Sequence, residues 1–411
     1  MFIRIINYYS IIIVDKMHIM SVIKHKLLGY GAMSLEILNT TFNIGELSLK
    51  NRIIMAPMSR NLSPNHIPTE NNANYYQRRA QGGVGLIITE ASAIDHPAAQ
   101  GTRAHAGGAT FAPGFTKEAA IGWQKVLNAV KEYGTPIFAQ LWHVGSTREP
   151  ALSLNPEIPS YGPSAIKHPR FDNKTNIIPL SMDTHDIEAH IEAYAQAAKL
   201  AMDLGFDGVE LNAAHGYGID QFFWSETNQR QDEYGGKTLL KRSRFAIDII
   251  KAIKSATHQY FPISIRISQW KMGAYHYQMI KNLKALTDFI LALSNAGVDV
   301  FHVSTRYFDE KFSNTEKTLA TYIKEITHKP VIAVGSIATE TDLIGSLRQN
   351  ELGKFSLTRL KLASKMIAHN EVDLLAIGRP LIADSQWFNK VRANEFNSII
   401  PFSKTMLEFL D

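Results

Sequence analysis

The chain of 411 residues sets 43 lysines and arginines against 38 aspartates and glutamates, for a formal net charge of +5, with 45% hydrophobic residues and no cysteine. That balance describes a globular protein with a core of its own, and the missing cysteines exclude disulfides, thiolate metal sites, iron–sulfur clusters and cysteine nucleophiles. Arg4, Lys16, Lys24 and Lys26 against Asp15 place much of the excess charge in the first 33 residues, so the remainder has no basic stripe and no nucleic-acid partner is expected.

Residues 1–33 differ in character from the rest. Phe2 to Val14 is apolar and β-branched but interrupted by Arg4, Asn7 and Ser10. A charge inside the run and no small-residue cleavage pattern after it argue against a signal peptide, and the run is too short to span a bilayer. We read 1–33 as a poorly ordered extension ahead of Met33 and 34–411 as the folded domain, with no membrane partner and a cytoplasmic location expected.

From Leu35 onward, short β-branched runs alternate with longer segments of helical period. The expected strands are Arg52–Met55, Val84–Thr89, Pro136–Leu141, Gly208–Leu211, Ile263–Ile267, Val298–Val303, Val331–Val334 and Asp373–Ile377. Expected helices include Lys117–Glu132, Asp186–Leu204 (with Ile187, Ile191, Tyr194, Ala198 and Ala201 on one face), Leu239–Ala256 and Ile280–Asn295. This alternation predicts a single (β/α)8 TIM barrel. An open doubly wound sheet would carry a G-x-G-x-x-G after its first strand, where this chain has Ala56-Pro-Met-Ser-Arg60. A short hairpin lid over Leu38–Gly45 and loop insertions after strands three (Ser146–Pro179) and seven (Gly345–Asn370) complete the expected architecture.

Active sites of such barrels gather at the C-terminal strand ends, and the chemistry lies there. Asn212, His215 and Tyr217 follow strand four. Pro57, Met58 and Ser59 follow strand one, Ala91 follows strand two, Gln140 closes strand three with Trp142 just after it, and Arg266 ends strand five. A buried arginine needs an anion. Gly335-Ser336 and Gly378-Arg379 form glycine turns at strands seven and eight, where barrels hold phosphate with backbone N–H groups and a following helix. Together these groups outline a flat phosphorylated heterocycle such as FMN. His66, His96, His105 and His168 show no metal-ligand spacing and read as surface groups, so no metal is expected.

The segments Asn51-Arg-Ile-Ile-Met-Ala-Pro-Met-Ser-Arg60, Gly85-Leu-Ile-Ile-Thr-Glu90, Ala139-Gln-Leu-Trp-His-Val-Gly145, Asp207 to Tyr217, Asn228-Gln-Arg-Gln-Asp-Glu-Tyr-Gly-Gly236 and Ala376-Ile-Gly-Arg379 together resemble the Old Yellow Enzyme family of FMN-dependent ene reductases, over roughly Leu35 to Asn394. The resemblance implies FMN as cofactor and NADPH or NADH as reductant. It implies a small α,β-unsaturated carbonyl or nitro compound as substrate, and leaves a homo-oligomer open. By the same resemblance Ser59 and Gln140 contact the flavin ring, Arg266 lies beside N1, and Gly335, Ser336, Gly378 and Arg379 hold the phosphate. Asn212 and His215 donate to the substrate carbonyl, and Tyr217 protonates the α-carbon. Trp142 has two readings from its position alone, lining the substrate cavity or packing against the strand-four loop. The family pair is usually His then Asn or His then His, whereas here Asn212 precedes His215. The altered order admits a second reading, a flavin-binding NAD(P)H oxidase or quinone reductase without ene reduction. From the absence of cysteine and an end at Asp411, the chemistry of relatives with cluster-bearing domains is not expected.

Overall fold

The computed structural model describes residues 35–101, 110–171, 176–313 and 315–411; the expected 1–33 extension and His105 lie outside them. Strands β1 (Phe42–Ile44) and β2 (Leu47–Leu49) pair as an antiparallel hairpin. Eight strands follow: β3 (Ile53–Met55), β4 (Leu86–Ile88), β5 (Ile137–Trp142), β6 (Gly208–His215), β7 (Ile263–Lys271), β8 (Val300–Ser304), β9 (Val331–Val334) and β10 (Leu374–Ile377). Each pairs in parallel with the next. Strand β10 returns to β3 through Leu375↔Ile53, Ala376↔Ile54 and Ile377↔Met55, so the barrel closes and leaves no free edge.

Side chains alternate across each strand, and the alternation builds two cores. Outward residues such as Ile53, Met55, Ile87, Ile137, Leu375 and Ile377 join the layer under the helices. Inward residues Ile54, Leu86, Phe138, Val300, Ile332 and Leu374 fill the barrel floor together with Ile44 and Leu49 of the hairpin. The hairpin thus plugs the N-terminal end of the barrel. Its strands lie a few residues beyond the expected Leu38–Gly45, because Leu35–Asn39 forms a 3-10 turn first.

The surrounding helices are α1 (Glu70–Gln81), α2 (Ala120–Lys131), α3 (Thr184–Leu204), α4 (Arg244–Ala256), α5 (Leu283–Ala296), α6 (Leu319–Thr327), α7 (Leu357–Ala368) and α8 (Trp387–Arg392). At the start of α3, Asp183 accepts the Asp186 N–H while the Asp186 carboxylate accepts the Asp183 N–H, a reciprocal cap that satisfies two otherwise orphaned donors. Its buried stripe runs through Ile187, His190, Tyr194, Ala198 and Ala201, with Ile191 partly buried against the same core, so His190 joins the expected face.

Two further expectations are corrected. The helix expected over Leu239–Ala256 is two, because Ser243 turns its hydroxyl onto the Leu240 carbonyl at 2.6 Å and interrupts the ladder between Leu239–Arg242 and α4. The insertion after strand seven is shorter than 345–370: α7 is the regular crossover helix, and Leu343–Arg348 is the added element. No described helix is long and apolar enough to cross a membrane.

Candidate active site

The inward positions change chemistry on climbing the barrel. Above the apolar floor come Gln140, Glu210, Ser264 and His302, on the same face as Phe138 and Val300 two residues earlier in their strands. All four are buried and converge on the Glu210 carboxylate. It accepts from Gln140 Nε2 at 2.8 Å, Ser264 Oγ at 2.9 Å and His302 Nδ1 at 2.8 Å. Burial alone would raise this carboxyl, but His302, Arg266 and Gln140 outweigh it and hold it below the usual range. The ionised carboxylate needs donors, so the Gln140 amide turns its nitrogen down to Glu210. Its Oε1 is then left to accept from Asn212 Nδ2 at 3.1 Å.

This relay ends at a buried acceptor and a buried donor without protein partners, Asn212 Oδ1 and Arg266 Nε. Both residues line a cavity of about 460 Å³ at the strand C-termini. Arg266 touches protein only weakly, through Nη1 and the Pro57 carbonyl at 3.4 Å. An unpaired acceptor beside an unpaired cationic donor costs free energy unless a ligand supplies the complement, and a heterocyclic edge carrying both N–H and C=O does so.

Pro57, Met58, Ser59, Ala91, Gln140, Asn212, His215, Tyr217, Arg266, Gly335, Ser336, Gly378 and Arg379 all line this one cavity. Trp142 does not. It stands behind Tyr217, edge to face at 5.1 Å between ring centroids, and packs with Ala91, Ala112 and Val144, so of its two readings the packing one holds and the substrate wall does not.

At the end of β6, His215 adopts a left-handed backbone with φ +63°. That conformation is costly outside glycine and is held by neighbours: the His215 N–H donates to Ser268 Oγ at 2.8 Å, and its ring lies parallel to Trp270 at 4.3 Å. His215 Nε2 and Ser304 Oγ are 2.9 Å apart. Burial first, then Arg266, Lys271 and His302, push the imidazole well below its usual pKa, so it is neutral. A Ser304 hydroxyl donating to Nε2 leaves the ring proton on Nδ1.

Tyr217 begins the short helix Gly218–Phe223, and burial raises its phenol. The hydroxyl therefore keeps its proton at neutral pH. Beneath this helix Lys271 Nζ meets Asp220 Oδ1 at 2.5 Å and Oδ2 at 2.7 Å, both side chains fully buried, while Asp220 Oδ2 also accepts the Gly216 N–H at 2.7 Å. The pair fixes the turn that presents Tyr217.

At the far end of the cavity, Arg379 donates to the carbonyls of Thr341 and Asp342 at 2.6 Å each and to Ser346 Oγ. The Asp342 carboxylate is taken by Arg306. Arg379 therefore has only neutral oxygens as direct partners among the described residues, and burial lowers it to about 10. Gly335 allows close packing here, since a Cβ would lie 2.5 Å from the Thr305 carbonyl oxygen. This is an anion-ready corner beside Ser336, whose hydroxyl lies 3.4 Å from Arg379 Nη2.

Sequence reasoning missed Arg306, Asp342, Trp270, Lys271 and Glu210 as parts of the site. Ser304-Thr-Arg306 and Trp270-Lys271 stood out as patterned segments, but no local signal ties Arg306 to Asp342. The histidine reading is also corrected: His66 and His168 are buried and His96 is partly so, because each accepts or donates to nearby backbone inside the loop layer.

Comparison with known proteins agrees with this geometry. Residues 38–397 match the model of the NADH:flavin oxidoreductase / NADH oxidase family. The chain belongs to this family.

The family is described by flavin as its redox group and NADH as its electron source. The chain is 33% identical over 370 residues to an NADH oxidase of Thermoanaerobacter brockii, covering 87% of this chain and 50% of that protein. It is 34% identical over 230 residues to 12-oxophytodienoate reductase 1 of Oryza sativa subsp. japonica, covering 56% of this chain and 58% of that protein. The chain thus spans only half or little more of these relatives' length. Morphinone reductase in complex with tetrahydroNAD superposes with a TM-score of 0.70 at 25% identity, over 91% of this chain and 97% of that one. The closed barrel is thus shared with a member of the Old Yellow Enzyme family.

Proposed function

We propose that this family member is an FMN-dependent NAD(P)H oxidoreductase that reduces C=C bonds conjugated to a carbonyl or nitro group. The observation that carries the reading is the convergence on one cavity of a protonated phenol, Tyr217, with a neutral imidazole, His215, and an unpaired cation, Arg266. Bound FMN supplies hydride transfer, taking it from the nicotinamide and giving it to the alkene.

The chain's residues supply the rest. Asn212 Oδ1 and Arg266 hold the pyrimidine edge, with Gln140, fixed between Glu210 and Asn212, orienting the Asn212 amide and the charge of Arg266 favouring the anionic reduced ring. Pro57, Met58, Ser59 and Ala91 flank the ring, and Gly335, Ser336, Gly378 and Arg379 hold the phosphate. His215 polarises the substrate carbonyl or nitro oxygen, which draws electrons from the double bond. Tyr217 delivers its proton to the α-carbon.

Asn212 favours a second reading. It was expected beside the substrate oxygen, but one of its amide hydrogens already goes to Gln140, which leaves His215 as the stronger substrate contact. In that reading electrons pass to oxygen or a quinone instead of an alkene. An anaerobic stopped-flow pair separates the two. NAD(P)H should bleach the bound flavin and a cyclic enone should restore its colour. Recovery only on admitting oxygen or quinone would favour the second reading, and no flavin bound after adding FMN would overturn both.

A further inference from the structure

Three imidazoles that this reaction does not use meet behind Trp142. His96 follows the short strand Ser92–Ile94, His143 succeeds Trp142 at the end of β5, and His190 lies on the buried stripe of α3. One ring nitrogen of each lies within 4.8 Å of the others. His143 and His190 are buried while His96 is partly exposed, so the cluster faces solvent on one side only.

The orientation of the His190 ring suits an ion. His190 Nδ1 lies 2.6 Å from the Asp186 carbonyl. That contact fixes its proton on Nδ1 and aims the Nε2 lone pair into the cluster, the outer-partner arrangement typical of ligating histidines. His190 Nε2 and His143 Nε2 are 3.0 Å apart, against a nitrogen–nitrogen separation of about 3.3 Å for two imidazoles on a tetrahedral ion. Burial pushes His96 down to about 3 and His190 to about 4 and holds His143 lower than usual, so all three rings are neutral, as ligands must be.

Binding does require rearrangement. His143 Nδ1 accepts the Gly145 N–H at 2.9 Å, which places the ring proton on Nε2, shared with His190. Occupation moves that proton to Nδ1 and gives up the Gly145 contact. His96 Nδ1 likewise accepts the Ala98 N–H, at 3.2 Å.

We propose that His96, His143 and His190 form a binding site for a divalent transition ion of the Zn²⁺, Co²⁺ or Ni²⁺ kind, with a fourth position open to water. An all-imidazole donor set selects these ions over Mg²⁺ and Ca²⁺, which take oxygen. The ion fastens three separate segments at the end of β5, whose Trp142 backs Tyr217.

The test uses tag-free, FMN-loaded full chain freed of metal with a chelator, and its readout does not depend on alkene turnover. Co²⁺ should give the visible bands of a tetrahedral nitrogen site, saturating at one equivalent, and Zn²⁺ should quench them and raise the melting temperature. His96→Ala and His190→Ala should each weaken Co²⁺ binding by about 10–100-fold or more, while His258→Ala, at an exposed histidine, should not. Circular dichroism and retained flavin establish that each variant folds. His96→Ala, the partly exposed position, carries the test if His190→Ala does not fold. Absence of the bands, or bands undiminished in the folded variants, would overturn the proposal.

Discussion

The Tyr217 hydroxyl has no hydrogen-bond partner among the described residues and burial keeps it protonated, which supports the proton-donor role proposed for it. Tyr217→Phe removes the proton while keeping the edge-to-face contact with Trp142. We expect the enone half-reaction to slow by about 10²–10⁴, with flavin reduction by NAD(P)H unchanged, as separate stopped-flow traces of the two half-reactions would report. Ser304 acts through His215. Ser304→Ala should lower the rate of enone reduction by about tenfold, the order of one lost hydrogen bond, and Ser304→Thr should restore it. An equal loss in both variants would mean that Ser304 only fills space.

Among the secondary-structure elements, the junction of β7 with the short helix Gly218–Phe223 rests on Lys271 and Asp220. Removing one partner of a fully buried pair leaves an uncompensated charge and costs about 3–5 kcal/mol. Lys271→Met should therefore unfold at markedly lower urea concentration, and adding Asp220→Leu should recover much of the loss. Equal midpoints for wild type and Lys271→Met would show that the pair contributes nothing.

The barrel strands were legible because β-branched runs such as Val331–Val334 are short and bounded, and a parallel barrel buries both faces of each. Once strand ends were placed, Gln140, Asn212, Arg266 and Gly378 followed from the rule that chemistry sits at C-terminal ends. Contacts between distant strands were not legible. Glu210 and His302 lie 92 residues apart, and His96, His143 and His190 come from three separate segments, so no spacing within one element reveals either group. Trp142 stayed open between cavity wall and packing for a related reason: strand parity gives the face of a side chain but not what stands in front of it.

Stability of the whole molecule should depend on pH through Glu90. This fully buried carboxylate accepts the N–H groups of Arg60 and Asn61 at 2.8 and 2.9 Å and so ties down the loop after β3. Burial nevertheless raises its pKa to about 7. The folded state thus holds a proton that the unfolded chain has already released, and stability falls as pH rises from about 4.5 to about 7, by about 3 kcal/mol in all. Glu90→Gln should flatten that decline in urea midpoints measured across the window. A decline of the same size in the variant would assign it to other groups.

Closure of the barrel has a consequence for how the protein is made. Strand β3 leaves the ribosome well before its β10 partner, Leu375 to Ile377, which comes more than three hundred residues later. At ordinary rates of synthesis that interval is on the order of tens of seconds. Throughout it Ile53, Ile54 and Met55 present one unpaired, wholly apolar edge to anything that can add a strand. The nascent chain is therefore a natural client for a chaperone that shields β-edges, and its need for one should end abruptly once residue 377 is free to dock.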